Sequence, residues 1–284
     1  LLQLTTTLLL RRFLIFEHRC YAGNLSNEDK QKIGKDLKEI ATSSPYHWAD
    51  YQFALWYESG WGGEDKINQA AIWLEKAVQK GNTSAMTTLG VNYREGKLGL
   101  TQSDTKANAL FALAARKGHA RARYNLGTSY CEGKGDLTID FNRCVELWDK
   151  SATQGNVNAQ IKLANMYRLG SKDGPPMTIP VNPQLCFRWN LAAAKQGNVK
   201  IMNTIGGAYY TGRGVQRNVE FAFEWFMKAA EKGDQHAQHN VGAFYEKGTG
   251  CDIDLEQAMH WYQMSAAQEY QIAIDAVERL KSNQ

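Results

Sequence analysis

A pattern of small, apolar, tyrosine and glycine positions recurs six times along this chain, and no other feature restricts its fold as much. Each unit opens at Ala49, Ala85, Ala122, Ala159, Ile201 or Ala237, so the starts lie 36, 37, 37, 42 and 36 residues apart. Four residues on comes an apolar side chain: Phe53, Leu89, Leu126, Leu163, Ile205, Val241. A small one follows directly, at Ala54, Gly90, Gly127, Ala164, Gly206 and Gly242. Tyrosine then fills one slot in every unit (Tyr57, Tyr93, Tyr130, Tyr167, Tyr209, Tyr245) and glycine another (Gly60, Gly96, Gly133, Gly170, Gly212, Gly248). In the second half, Ala70, Ala107, Cys144, Cys186, Ala222 and Ala258 stand three residues before Trp73, Leu110, Leu147, Trp189, Trp225 and Trp261. Gly81, Gly118, Gly155, Gly197 and Gly233 close five units, and Glu269 closes the sixth.

The opening, apolar and tyrosine slots fall at i, i+4 and i+8, one face of a helix. The neighbouring small slot lets a second helix approach closely. Glycine after the tyrosine predicts a left-handed cap ending the first helix, and the closing glycine does the same for the second. Each unit is therefore predicted to be an antiparallel helix pair, with the tryptophan slot inserted between units. One pair cannot bury both faces, so the units must stack. Five prolines in 284 residues suit such long helical runs.

Strings such as Leu126-Gly127-Thr128-Ser129-Tyr130-Cys131-Glu132-Gly133 and Ala222-Phe223-Glu224-Trp225-Phe226-Met227-Lys228-Ala229-Ala230 resemble the Sel-one-like repeat family, a branch of the tetratricopeptide-like α/α solenoids. The resemblance implies an all-α, right-handed solenoid of about six helix-turn-helix repeats, over 49–84, 85–121, 122–158, 159–200, 201–236 and 237–272. Cysteine-rich members carry paired cysteines before the closing glycine. Here that slot holds Val78, Ala115, Ala152, Ala194, Ala230 and Ala266, so the stapling of those members is not expected.

Residues 24–48 are predicted to form a capping half-repeat, its helix opened by Ser26 and Asp29 in a capping box and carrying Ile33, Leu37 and Ile40 on one face. Residues 273–284 are predicted to form a closing helix through Ala273, Val277 and Leu280. The longer fourth repeat places a loop at Ser171–Pro183. Residues 1–23 are basic and carry one acid, Glu17; their composition fits a mitochondrial targeting segment, with a signal-peptide remnant or the start of an incomplete reading frame as the alternatives and a cytoplasmic or secretory location left open. Their apolar runs are too short to cross a bilayer.

The hydrophobic fraction of 43% supplies a core, and a net charge of +4 is too mild for a chain that lives on nucleic-acid counterion release. Cys20, Cys131, Cys144, Cys186 and Cys251 are odd in number and lack CxxC spacing, so no disulfide framework or zinc site follows, and Cys144 reads as a buried thiol. Gly133-Lys134-Gly135, Gly212-Arg213-Gly214 and Gly248-Thr249-Gly250 look like phosphate loops but fall at inter-helix turns without the strand that such loops follow. His236, His239 and His260 lack a completing carboxylate or cysteine and read as surface histidines. No catalytic constellation, metal site or cofactor motif emerges, and no small-molecule substrate is expected. The resemblance implies a groove lined by first helices, with Trp48, Tyr51, Arg94, Arg121, Tyr124, Asn165, Arg168, Asn203, Tyr210, His236 and His239 facing it. Arginines and aromatics are the types that make binding hot spots. The expected function is a non-catalytic scaffold for a protein or peptide partner, in a multi-subunit complex; an RNA-binding helical-repeat protein and a solenoid-borne hydrolase are the alternatives.

Overall fold

The computed structural model describes residues 26–43, 46–63, 66–170 and 179–282. The proposed targeting segment and most of the repeat-4 loop lie outside them. The described residues form fourteen helices and no strand: α1 (Asn27–Ser43), α2 (His47–Glu58), α3 (Gln69–Gln79), α4 (Thr83–Glu95), α5 (Asp104–Arg116), α6 (Ala120–Glu132), α7 (Phe141–Thr153), α8 (Val157–Leu169), α9 (Pro183–Lys195), α10 (Val199–Thr211), α11 (Val219–Ala230), α12 (Gln235–Lys247), α13 (Leu255–Ala266) and α14 (Gln271–Ser282). They divide into two compact units, one holding α1–α5 with residues 134–137, the other residues 123–133 and 138–284. In the first, α2 packs on α3 and α4 on α5; in the second, α8 packs on α9, α10 on α11 and α12 on α13.

Helix starts follow a rule that the repeat pattern alone did not express. First helices begin after Asn82, Asn156, Asn198 or Asp234, whose side-chain oxygen accepts the N–H of Ala85, Ala159, Ile201 or Ala237 at 2.8, 2.9, 3.2 and 2.8 Å. His119 takes this place before α6, its Nδ1 lying 3.3 Å from the Ala122 nitrogen. Second helices begin after Ser103, Asp140, Asn182, Asn218 and Asp254 in the same way. Each such cap satisfies an N–H that the helix cannot, worth about 1 kcal/mol. The backbone N–H of these second-helix caps also donates to the carbonyl of Tyr93, Tyr130, Tyr167, Tyr209 or Tyr245, which clamps the turn shut. Ser26 and Asp29 form the expected reciprocal cap of α1.

All six glycines after the tyrosine slot have positive φ, and Gly96, Gly212 and Gly248 form the predicted left-handed cap, whereas Gly170 pairs its φ of 69° with an extended ψ of 170°. The sixth unit closes on Glu269, which takes the same left-handed conformation, φ 61°, without glycine's freedom. Glu269→Gly should therefore raise stability by about 1 kcal/mol, read as a higher melting temperature. An unchanged or lowered value would mean the left-handed turn carries no strain. The second glycine of each Gly-x-Gly triplet has a different task. A Cβ on Gly250 would lie 2.6 Å from the Val219 carbonyl oxygen, and one on Gly214 would collide with the Pro183 carbonyl. These turns rest on the start of the preceding repeat's second helix, so the apparent phosphate loops are packing elements.

The tryptophan slot is only part of the helix interface. Trp73, Leu147, Trp189 and Trp261 are buried, but Leu110 and Trp225 are half-buried. The next residue enters the pair: Leu74, Phe111, Trp148, Phe226 and Tyr262 are all buried. A Cβ on Gly90, Gly127, Gly206 or Gly242 would fall 2.6–2.8 Å from the ring of Phe111, Trp148, Phe226 or Tyr262. The small slot thus receives the residue after the tryptophan slot.

The cysteine expectation is corrected. Cys131, after the tyrosine of α6, and Cys144, in the small slot of α7, form a disulfide across 13 residues of sequence. The antiparallel hairpin brings their Cα atoms to 5.5 Å, a nearness that sequence spacing does not display.

Candidate functional site

Repeat 4 breaks the interior rule. Where the other repeats place Leu74, Phe111, Trp148, Phe226 or Tyr262, α9 carries Asn190. On the facing helix, Gly206 is needed for Phe226, but the next residue, Gly207, has no atom within 4 Å of where its Cβ would stand. A glycine inside a helix costs about 1 kcal/mol relative to alanine, and here neither packing nor φ requires it. The result is a cleft of about 230 Å³ between α8, α9 and α10. Val181, Phe187, Ile205 and Ala208 make its apolar lining, with Asn190 and Gly207 beside them and Arg168 and Arg213 also on its wall. Both arginines are exposed, and both charges act on the Cys186 thiol that lines the same cleft.

The slot after the tyrosine shows why Arg168 stands apart. Asn92 donates to Glu58 there at 3.3 Å. Arg94 sits 3.5 Å from Asp104 and over the Phe111 ring, and Cys131 is bonded to Cys144. Tyr210 lies under Arg217 and against Phe244, while Arg279 grips Glu246 through two hydrogen bonds of 2.6 and 2.8 Å. Among the described residues, no carboxylate pairs with Arg168 or with Arg213. Cys186 is a free, half-buried thiol in the same cleft. Burial pushes its pKa above the ordinary thiol range, against the opposing fields of Arg213 and Arg168, so it stays protonated at neutral pH.

The other predicted residues divide by burial. Arg121, Asn165, Arg168, Tyr210 and His236 are exposed, whereas Trp48, Tyr51, Arg94, Tyr124, Asn203 and His239 are half-buried. Trp48 and Tyr51 pack against the core of the first unit, and the Tyr51 hydroxyl lies 3.3 Å from that of Thr88. The Tyr124 ring stacks on Trp148 and its backbone carbonyl accepts the Trp148 indole N–H, while the Asn203 side chain accepts from Asn240. The histidines are not simple surface groups. His236 is exposed but meets Tyr270 edge-on, and His239 packs between Tyr262 and Tyr270, where burial lowers its pKa. Beside them, hydrogen bonding from Arg279 holds the Glu246 carboxyl below its usual range, and the Tyr262 hydroxyl donates to it at 2.8 Å. Among the described residues no group of three or more His, Cys, Asp or Glu side chains stands ready to hold a metal ion, and no helix is long and apolar enough to cross a membrane. Sequence reasoning missed Asn190, Gly207 and Arg213; the available signal was one polar residue in a slot otherwise filled by bulky apolar ones.

The Sel1 repeat model matches residues 49–82, 83–119, 120–156, 157–198, 205–234 and 235–270. The chain belongs to the Sel1 repeat family. A protective antigen present in uropathogenic Escherichia coli strains, displaying an SLR fold, is similar at 29% identity with a TM-score of 0.73, over 89% of this chain and 51% of that one. A Sel1 repeat protein from Oxalobacter formigenes is similar at 28% identity with a TM-score of 0.63, over 75% of this chain and 84% of that one. The chain thus spans about half the length of the first of these structures. No curated protein matches it. Sel1 repeat proteins are generally non-catalytic scaffolds for protein interaction. In this Sel1 repeat protein the repeat-4 cleft is where the side chains depart from what stacking alone requires.

Proposed function

We propose that this Sel1 repeat protein is a non-catalytic adaptor that holds a protein partner on the exposed side chains of its first helices, as a subunit or assembly factor of a larger complex. The observation that carries the reading lies in the second unit. Asn165 and Arg168 on α8, Tyr210 on α10 and His236 on α12 are exposed on consecutive first helices. Large, stiff aromatic rings and guanidinium forks supply binding energy at low entropic cost. Asparagine adds a donor and an acceptor for a partner's backbone. Six of the eleven predicted residues are instead half-buried within the repeats, so the partner surface proposed is drawn from the five that are exposed.

The test is quantitative cross-linked co-purification from the native source with the double variant Asn165→Glu/Tyr210→Ala. Partner recovery should fall at least about tenfold, the ~1.4 kcal/mol or more expected for hot-spot positions. The control is Lys228→Glu/Lys232→Glu, which alters exposed residues at the end of α11. If the control pair abolishes recovery and the first-helix pair leaves it intact, the partner uses another face and the reading is wrong.

A further inference from the structure

The cleft of repeat 4 combines an apolar lining with cations on its wall, and both traits come from departures confined to this repeat and its neighbour. Asn190 replaces a bulky core residue, and Gly207 leaves open the space beside α10 that any side chain would enter. Arg168 and Arg213 carry charge there with no carboxylate partner among the described residues. An occupant must therefore carry an anionic head and a compact apolar body. A phosphoryl group alone would leave the apolar part of the lining, Val181, Phe187, Ile205 and Ala208, without a contact. A volume of about 230 Å³ lies below the ~300–1,000 Å³ of a pocket that swallows a drug-sized molecule. It matches one residue of a chain whose remainder stays outside. A polypeptide's last residue unites these properties, since its carboxylate sits two bonds from its side chain. Guanidinium forks bind carboxylates in two-point fashion, and capture of chain ends is a known recognition mode.

We infer that this cleft takes the carboxyl-terminal residue of a partner polypeptide, its free carboxylate held by Arg168 and Arg213 and its apolar side chain lying over Gly207 beside Asn190. The inference rests on the adaptor reading and adds the chemistry of the partner segment. Exposed neighbours such as Tyr210 and Asn165 would meet the residues that precede the chain end.

The test uses the full chain and heptapeptides tethered by their amino ends, with the last residue varied among leucine, valine, phenylalanine and lysine. Each is made with a free carboxylate and as the amide. Retention is expected on free-carboxylate members ending in an apolar residue, and amidation should weaken it at least about tenfold, as loss of a charge-assisted pair does. Arg168→Gln and Arg213→Gln should each cause a similar loss. Both alter only exposed side chains, so the fold survives them. Gly207→Leu should fill the cleft and abolish retention, with a melting temperature unchanged or raised because leucine favours helix over glycine. Occupied cleft should also slow alkylation of Cys186 while leaving Cys251 unaffected. Equal retention of amides and acids, indifference to Gly207→Leu, or no retained member would each overturn the inference. If no peptide binds but Asn165→Glu/Tyr210→Ala still releases the native partner, the adaptor reading stands and the chain-end inference alone falls.

Discussion

Phe226→Ala is expected to destabilise the second unit by about 3–5 kcal/mol, the cost of removing a large aromatic side chain from a packed interior. Phe226 is 4% exposed and lies against Gly206, where even a methyl group would overlap its ring. It also meets Phe244 of the next repeat edge-on, with ring centroids 5.3 Å apart. One truncation therefore opens a cavity at the contact of α10, α11 and α12 together. Trp225→Ala is expected to cost about 2 kcal/mol or less, because a half-buried side chain recovers part of its transfer energy from water. The Trp225 ring is partly covered by the Lys228 ammonium at 4.8 Å, a contact worth about 0.5–1 kcal/mol at an exposed site. Urea denaturation followed by circular dichroism compares the two directly. A larger loss for Trp225→Ala would place the tryptophan, not Phe226, in the helix interface.

Ending the chain at Glu269 should release the sixth repeat from its closing helix. Ala273, Ala276, Val277 and Leu280 of α14 are buried, and burying each larger apolar side chain contributes about 1.5–3 kcal/mol. The helix also supplies Arg279, whose two hydrogen bonds satisfy the Glu246 carboxylate. Without it Glu246 keeps only the Tyr262 hydroxyl, in a partly desolvated place. The apolar and polar losses together should reach about 5 kcal/mol. In an array whose repeats lean on their neighbours, the loss stays local. Hydrogen exchange should show lost protection across residues 237–268 and retained protection in α8–α10. Unchanged protection at 237–268 would mean that α14 does not cap the array.

The period, the helix pairs and most of their left-handed ends were legible in the sequence because the same slots recur in every unit, so a pattern weak in one repeat is fixed by the other five. The capping residues recur as well, Asn156, Asn198 and Asp234 standing at one fixed slot, yet only the cap of Ser26 and Asp29 was read from the sequence, and the rest emerged with the structure. The membership of the closing helix was legible too, since Ala273, Val277 and Leu280 keep one face. Tertiary packing decided the rest. Trp225 and Phe226 are adjacent and both apolar, so helical periodicity cannot choose between them; the rotation of α11 against Gly206 does. Cys131 and Cys144 sit in unrelated slots and meet only because a hairpin folds back on itself. Arg94 and Arg168 occupy the same slot after a tyrosine, yet one is neutralised by Asp104 and the other stands on the wall of a cleft. That cleft consists of missing side-chain volume at Asn190 and Gly207, and empty space acquires a location only when three helices are placed around it.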